Sequence, residues 1–306
     1  MELFSDRFSS NMKQVLGSLY NLYVYFDGRF LRGEGARLSV YEHAFMYGDS
    51  VFEDIRAYDG KVFRLLDHLE RLMESAKSIG IKVPLTIAEL TQVVLTTFRI
   101  NRLEEGLMRL TVTRGVGTIG LDPRKARFPS VIAMVYPLPP TLGEKAIRLI
   151  TSTVRRKNCD SVDARVKSSN YMDNILAKLQ ANAVGMDDAL MLDRDGYVAE
   201  ATAMNVFVLR KDQWSTPPPV ACLDGVTRRV VMEILDKIGT PVQERQVTLH
   251  ELYVAQEVLL TGTGAEIVPV ESIDGRTIGD GAPGPVTERL MWSFHTLTKE
   301  GIPIGE

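Results

Sequence analysis

The order of apolar and polar residues predicts two β-hairpins early in the chain. In each of them, apolar-rich runs lie on either side of an Asp-Gly pair, the two-residue turn that suits a twisted antiparallel ribbon. The first hairpin is LYVYFDGRFLRG, with its turn at Asp27-Gly28, and the second is SVFEDIRAYDGKVFRL, with its turn at Asp59-Gly60.

The pattern then changes to helical spacing and back again. Apolar residues recur every three or four positions from Leu65 to Ile79, with Gly80 as a stop signal, and residues 87–100 predict a second helix. The segments LMRLTVTRG and SVIAMVYPL resemble strands of one sheet. This part of the chain therefore predicts an α+β domain with antiparallel pairing.

A cluster of prolines predicts a boundary between two domains. In YPLPPTLGEK the prolines and the glycine can continue neither a strand nor a helix, so we interpret residues 137–145 as an interdomain linker. Residues 1–136 then form an N-terminal domain and residues 146–306 a C-terminal domain. The second domain mixes the strands AIRLITSTV, DDALMLD and EVLLTGTG with helices predicted at 171–184, 227–238 and 287–298.

Composition narrows the class of protein. The 306 residues are 45% hydrophobic and 25% charged, and the net charge of -3 with scattered Lys and Arg argues against a nucleic acid or an anionic membrane as partner. Cys159, Cys222 and four histidines cannot build a disulfide framework or a Cys/His zinc site, which fits the cytoplasm. The N-terminus predicts no leader, and no apolar stretch is long enough to cross a membrane.

Lys167 is the first candidate for chemistry. It lies in RVKSSNYMDN, where Ser168, Ser169 and Asn170 are candidate caps for a helix that we expect to turn Ile175 and Leu179 inward. A lysine that forms a Schiff base must reach a carbonyl and be neutral for part of the cycle, which desolvation favours. A surface lysine at the start of a helix is the alternative interpretation.

Glu200 is the second candidate. The turn DRDG at 193–196 sends the chain back into GYVAEATAMNVFVL, where Glu200 shares a face with Val198, Thr202 and Met204. An unpaired buried carboxylate costs several kcal/mol, so Glu200 needs a cationic or hydrogen-bonding partner. The protonated nitrogen of a pyridine ring is one such partner, since it makes pyridoxal phosphate an electron sink. A structural salt bridge is the other.

Two segments predict a phosphate site. In LDGVTRRVVMEIL, Gly225, Val226 and Thr227 begin an amphipathic helix whose free N–H groups and dipole attract an anion, and TGTGAEI at 261–267 can present further backbone N–H groups. GVGTIG at 115–120 matches a dinucleotide-binding pattern, but Leu121-Asp122-Pro123 follow it instead of a helix. We therefore expect that segment to form a loop over the active site.

These segments, in this order, resemble the fold-type IV pyridoxal phosphate enzymes. The resemblance runs from about residue 22 to 275 through HAFMYGDSVFEDIRAY, HLERL, MRLTVTRG, VKSSNY, DGYVAEATAMNVF, LDGVTR and TGTGAEIVPV. It implies a smaller α/β N-terminal domain, a larger pseudo-barrel C-terminal domain and pyridoxal 5'-phosphate in the cleft between them. It also implies a homodimer, or a higher homo-oligomer, whose subunits complete each other's sites.

The resemblance also implies a role for individual residues. Lys167 corresponds to the Schiff-base lysine, Glu200 to the partner of the pyridine nitrogen and Tyr171 to the tyrosine that binds the phenolic oxygen. The implied phosphate and ring contacts are Arg71, Val226, Thr227, Thr263 and Leu223. The implied substrate contacts are Tyr47, Phe52, Asp54, Arg56, Leu107, Arg109 and the turn with Gly264 and Ala265. His68 is expected only to pack or to cap.

The resemblance is strongest to the branched-chain aminotransferases. It implies transfer of an amino group between an aliphatic, L-branched-chain amino acid and 2-oxoglutarate, with R-primary amines as further donors. Asp54 stands where glycine is usual and Leu107 where a tyrosine is usual, so Asp54 is expected to repel the substrate carboxylate or to pair with Arg56. D-amino acid or R-amine transaminases, 4-amino-4-deoxychorismate lyases and a non-catalytic binding relative are the alternatives.

Overall fold

The computed structural model describes residues 17–139, 145–157 and 159–305. The chain divides into two compact units, the first running up to Leu138 with the segment from Gly301 added, and the second from Pro139 to Glu300. Residues 140–144 of the predicted linker lie outside the described residues, as does most of the N-terminal segment that was examined for a leader.

The strands, in chain order, are β1 (Tyr23–Phe26), β2 (Arg29–Arg32), β3 (Ser50–Tyr58), β4 (Lys61–Phe63), β5 (Gly106–Thr113), β6 (Val116–Gly117), β7 (Ala126–Arg127), β8 (Val131–Tyr136), β9 (Ile147–Thr151), β10 (Asp188–Leu192), β11 (Val198–Ala201), β12 (Asn205–Arg210), β13 (Gln213–Thr216), β14 (Gln243–Glu244), β15 (Glu257–Gly262), β16 (Glu266–Ile273), β17 (Arg276–Thr277) and β18 (Gly301–Pro303). The helices are α1 (His43–Tyr47), α2 (Leu65–Ser78), α3 (Ile87–Ile100), α4 (Met172–Ala183), α5 (Val226–Lys237), α6 (Leu249–Tyr253) and α7 (Pro285–Leu297). Short 3-10 helices lie at Gly17–Asn21, Gly33–Gly35 and Pro123–Lys125.

The first unit is built on an antiparallel sheet of seven strands in the order β18-β4-β3-β5-β8-β1-β2. Both predicted hairpins are confirmed, and at each turn the Asp and the Gly have positive φ angles, as a two-residue turn between twisted strands requires. The GVGTIG segment contains β6, which pairs with β7, and the 3-10 helix at Pro123–Lys125 lies between these two strands. It is therefore not a strand-to-helix turn of a dinucleotide site.

Helices α2 and α3 cover one face of this sheet. Alternate residues of β3, such as Val51 and Ile55, are fully buried together with Leu69 and Leu72 of α2. Helix α3 begins with a capping box between Thr86 and Glu89. The predicted bounds of both helices are confirmed to within one residue, because apolar periodicity and stop or cap signals agree there.

The second unit holds a nine-stranded mixed sheet. Its order is β11-β10-β9-β16-β15-β12-β13-β14, with β17 paired to β16. Strand β9 runs parallel to both β10 and β16, β13 runs parallel to β14, and the other pairs are antiparallel. One apolar core cluster joins residues of β9, β10, β12, β15 and β16. This packing fixes the positions of the ends of β11 and β15.

Helix α4 corrects two expectations. Its buried face is made of Asn174, Ala177 and Ala181, whereas Ile175 and Leu179 are 52% and 56% exposed, so the inward orientation predicted for them is wrong. Only small residues fit where α4 packs on Ala189 and Met191 of β10. The helix begins after Tyr171 without a side-chain cap, so the capping role expected for residues 168–170 is also wrong.

Two kinds of feature are absent from the described residues. None of the described helices combines the length and apolar character needed to cross a membrane. Within the same part of the chain, no group of three or more His, Cys, Asp or Glu side chains could bind a metal ion.

Candidate active site

Lys167 lies in the loop that leads into helix α4, and its side chain is buried. The residue is 8% exposed, and its Nζ atom is 3.5 Å from the hydroxyl of Tyr171 and 5.8 Å from the centre of that ring. Tyr171 is the residue immediately before α4 and is therefore held by the start of the helix. The structure thus places an amine and a phenol hydroxyl side by side.

Glu200 lies in β11, which is hydrogen-bonded to β10 in antiparallel register. Its carboxylate is buried and engages a cation and a backbone donor: Oε1 is 2.6 Å from Nη2 of Arg156, and Oε2 accepts a hydrogen bond from the Leu223 backbone N–H at 3.2 Å. Burial raises the pKa of the Glu200 carboxyl, while Arg156, the Leu223 N–H group and the charge of Lys167 oppose that rise. Lys167 and Glu200 therefore influence each other electrostatically.

A pocket in the second unit joins these residues. Arg156, Lys167, Tyr171 and Leu223 are among the residues that line it. Glu200 is hydrogen-bonded to two of these lining residues, Arg156 and Leu223. An amine, a hydroxyl and a carboxylate are thus assembled around one depression.

The start of helix α5 presents backbone donors. Gly225 precedes the helix, Val226 and Thr227 are its first residues, and both are buried. The first N–H groups of any α-helix have no acceptor within the helix, and the helix dipole favours an anion there. A side chain at Gly225 would force Asn205 to move, because its Cβ would lie 2.1 Å from Oδ1 of Asn205.

The turn between β15 and β16 lies against residues 202–205, the segment that follows Glu200 and includes Asn205. Thr263, Gly264 and Ala265 form the turn, and a Cβ on Gly262 would lie 3.3 Å from the Ala203 carbonyl oxygen. Residues 202–205 therefore contact both Gly262 and Gly225. This brings the two segments predicted to bind phosphate together around the loop that follows Glu200.

The same turn holds a strained residue. Glu266, the first residue of β16, has a φ of 63°, which is unfavourable for a residue other than glycine. His295 of α7 holds it through a contact of 2.9 Å between Nε2 and the Glu266 carboxylate. The turn is thus anchored from outside the sheet.

In the first unit, Arg71 is part of a buried ion pair. Its Nε and Nη2 atoms lie 2.7 and 2.8 Å from the two carboxylate oxygens of Glu53, and Nδ1 of His68 is 2.7 Å from the same carboxylate. His68 does more than pack or cap, which corrects the expectation for it. The role of Arg71 as a phosphate ligand stays a prediction.

The opposite face of β3 carries the predicted substrate residues. Asp54 pairs with Arg109 of β5, with Nε 2.6 Å from Oδ1, and the guanidinium of Arg109 lies 3.9 Å above the ring of Phe52. Arg56 stands opposite Leu107 in the sheet and donates to the carbonyl of Leu138. Asp54 is thus engaged by Arg109, a partner that the sequence analysis did not consider.

Tyr47 lies at the end of α1 and accepts a hydrogen bond from the Gly120 N–H at 2.9 Å. The carbonyl of Thr118 is 3.2 Å from Nε2 of His43, in the same short helix. These contacts hold α1 against the segment that follows β6.

Arg156 was missed by the sequence analysis. Its Nη1 atom is 2.8 Å from Asp173 and 3.2 Å from the side-chain oxygen of Asn174, while Nη2 contacts Glu200. The sequence indicates Arg156 only indirectly, because a buried Glu200 needs a cationic partner. Residues 155–157 are three consecutive basic side chains, and no sequence rule selects one of them.

Known proteins resemble this chain over most of its length. The sequence profile described as amino-transferase class IV matches residues 50–273. A Methanocaldococcus jannaschii protein, whose name assigns it to the branched-chain-amino-acid aminotransferases, is 47% identical over 283 residues, or 92% of this chain and 98% of that protein.

Two solved structures are similar as well. The branched-chain amino acid aminotransferase of Escherichia coli has a TM-score of 0.88 at 33% identity, covering 91% of this chain and 95% of that one. The branched-chain amino acid aminotransferase of Thermobaculum terrenum, solved in its pyridoxal phosphate form, has a TM-score of 0.87 at 28% identity, covering 94% of this chain and 100% of that one.

Proposed function

Because the chain belongs to the class IV amino-transferase family, we propose that it is a pyridoxal 5'-phosphate-dependent transaminase. Its substrates are an aliphatic, branched-chain L-amino acid and a 2-oxo acid, with 2-oxoglutarate as the acceptor. The observation that carries the proposal is the joint placement of Lys167 and Glu200 in one unit, with the Tyr171 hydroxyl beside the amine. The names of the similar proteins support the choice of substrate.

The residues of the second unit fit this cofactor. The helix α5 starts at Val226, and the first N–H groups of a helix have no acceptor within it, so a phosphate is favoured there. Val226, Thr227 and the turn with Thr263 would hold the phosphate, Leu223 would pack on the ring, and Glu200 would face the ring nitrogen. The buried carboxylate of Glu200 is suited to this, since a pyridinium N–H supplies part of the charge that its burial requires.

When bound, the cofactor supplies an aldehyde that combines with the substrate amine and a ring that accepts electron density from the substrate Cα. Lys167 would act as the base that removes the proton from the substrate Cα and as the acid that returns it. The Tyr171 hydroxyl accepts a hydrogen bond from this amine and so orients it. Glu200 holds a proton on the ring nitrogen while negative charge develops.

The proposed assembly is a homodimer or a higher homo-oligomer. Support comes from large apolar side chains that are exposed on α1 and on the segment after β6, among them Phe45 at 72% and Leu121 at 83%. Helix α4 exposes a second apolar stripe, at Met172, Ile175, Leu176 and Leu179. Exposed apolar patches of this kind are typical of surfaces that contact another protein. We place the protein in the cytoplasm, which suits its two free cysteines, Cys159 and Cys222.

Replacing Lys167 tests the proposed function. We expect Lys167→Ala to abolish transamination between L-leucine and 2-oxoglutarate and to remove the absorbance of the lysine-bound cofactor, because Lys167 supplies the amine that lies beside the Tyr171 hydroxyl. The matched control is Lys237→Ala at the exposed end of α5, which we expect to keep both. A Lys167→Ala protein that turns over at the wild-type rate would refute the assignment.

A further inference from the structure

We propose that Arg156 is a positioning residue of the reaction. It keeps the Glu200 carboxylate ionised and oriented, and it ties that carboxylate to the start of the helix that follows Lys167. This inference rests on the proposed function, because it concerns how Glu200 meets the ring nitrogen. It assigns a task to a residue outside the predicted set of cofactor and substrate contacts.

The Arg156 guanidinium joins two elements. The residue is 8% exposed and uses two different nitrogens: Nη2 lies 2.6 Å from Oε1 of Glu200, and Nη1 lies 2.8 Å from Asp173. A rigid, planar fork fixes the relative position of the groups that it joins. Asp173 is in the first turn of α4, two residues after Tyr171 and close in sequence to Lys167. One side chain therefore connects the strand of Glu200 to the helix that orients the amine.

The hydrogen bonds at Glu200 leave room for a further donor. A carboxylate offers about four acceptor positions. Arg156 takes one on Oε1, and the Leu223 N–H takes one on Oε2. These contacts fix both oxygens in space and leave acceptor capacity for a donor on the ring. Arg156 thus orients the Glu200 carboxylate and leaves acceptor positions on it for a further hydrogen-bond donor.

The charge of Arg156 acts on the same carboxylate. The ionisable groups around Glu200 are Arg156 on the segment after β9, Lys167 before α4 and Cys222 before α5, and Arg156 in turn lies near Asp173 and Tyr171. Burial raises the pKa of the Glu200 carboxyl, and Arg156 is the strongest influence against that rise. Without the guanidinium, the pKa would rise further and the carboxyl would become protonated at a higher pH. A protonated Glu200 cannot hold a proton on the ring nitrogen.

The experiment compares Arg156→Met, Arg156→Gln and Arg156→Lys with the wild-type holoenzyme. Activity should fall on the acid side as Glu200 becomes protonated, and we expect this acid limb to lie at least about one pH unit higher in the two neutral variants, a ten-fold change in the ionisation equilibrium. Arg156→Lys keeps the positive charge and loses the planar guanidinium, so we expect its acid limb to lie close to that of the wild type. If Arg156→Met does not fold, Arg156→Gln carries the test alone.

Two readouts do not depend on turnover. The pH titration of the absorbance of bound pyridoxal phosphate should shift in the same direction as the acid limb. The dissociation constant of pyridoxal phosphate should rise about ten-fold in the neutral variants, the same equilibrium factor as one pH unit. In a Glu200→Gln background, removing Arg156 should add no pH shift, because the group that it acts on no longer titrates.

The control is Arg228→Met, a second buried arginine of the same unit that bridges Asp224 and Glu244. We expect it to lower thermal stability without moving the acid limb. The inference is overturned if Arg156→Met and Arg156→Gln keep the wild-type acid limb and cofactor affinity, or if the shift persists in the Glu200→Gln background. Either result leaves the proposed function intact as long as the wild type transaminates and Lys167→Ala does not.

Discussion

The buried residues Glu53, in the first unit, and Glu200, in the second, respond to burial in opposite ways. Burial by itself would raise the pKa of Glu53, but Arg71 and His68 outweigh it and lower the pKa to about 2. Burial prevails at Glu200, whose pKa is raised. The difference lies in the partners: Glu53 contacts both Arg71 and His68, whereas Glu200 contacts a cation, Arg156, which also contacts Asp173. The contacts of Glu53 thus stabilise the fold, whereas the Glu200 carboxylate can accept a hydrogen bond from a further partner.

We expect Glu53→Gln to destabilise the protein by about 3 kcal/mol or more at pH 7, because it leaves Arg71 buried without its carboxylate. The depressed pKa of Glu53 stabilises the fold at pH values above its ordinary value of 4.5, and this contribution, also about 3 kcal/mol, is lost as the pH falls towards 2. Urea unfolding at several pH values should therefore show the difference between wild type and variant shrinking below pH 4.5.

The control for that series is Glu70→Gln, on the exposed face of α2, the helix that carries Arg71, and it should unfold like the wild type throughout. A difference between wild type and Glu53→Gln that stays constant down to pH 2 would contradict the account of Glu53.

The sequence identifies residues by their type and spacing, but it does not identify their partners. Lys167 and Glu200 stand out because an amine before a helix and an acid in an apolar strand are unusual. Arg156, Glu53 and His68 do not, because each is one of many basic or acidic residues until tertiary contacts bring it to its partner. The Asp54–Arg109 pair was missed for the same reason, since it depends on the register of β3 and β5.

At the scale of elements, α4 shows where apolar periodicity misleads. The stripe with Ile175 and Leu179 has the spacing of a core face, yet the helix buries the alanines at 177 and 181. The distance between α4 and β10 is set by these small side chains, and larger ones cannot fit between them. Periodicity indicates the axis of a helix, but it does not show whether its apolar face meets the core of the same chain.

We expect Ala177→Leu to destabilise the protein by about 1–3 kcal/mol, because the added atoms overfill the contact with Ala189 and Met191. Ala183→Leu makes the same chemical change at an exposed position of the same helix and should stay within about 0.5 kcal/mol of the wild type. Thermal unfolding of both variants checks this. Equal effects of the two substitutions would mean that α4 does not bury the face described.

The other elements are predicted well where a pattern has a single physical cause. The hairpins at Asp27-Gly28 and Asp59-Gly60 are confirmed because such pairs tolerate the positive φ angles of a tight turn. Helix α5 begins where the glycine and the amphipathic pattern place it. The cap of α4 could not be predicted, since serine and asparagine also serve as turn residues, and here no side chain caps the helix.

At the scale of the whole molecule, the exposed apolar surfaces predict self-association. We expect Phe45→Asp combined with Leu121→Asp to shift the protein from a dimer or higher oligomer towards the monomer, because burying two carboxylates in an apolar contact is costly. Light scattering after gel filtration measures the mass. Leu176→Asp on α4 serves as the comparison: if it alone dissociates the assembly, the surface on α1 and after β6 is not the interface.

The first sheet is completed by the end of the chain. Strand β18 pairs with β4 at its edge, and the carbonyl of Ile304 accepts a hydrogen bond at 2.9 Å from Arg99, 205 residues earlier in the sequence. A ribosome delivers residues in order, so the whole second unit must emerge before this edge can close. Until then β4 exposes unpaired backbone groups, which are a template for unwanted strand pairing. Nascent chains stalled before residue 301 should therefore depend on chaperones more than finished ones do.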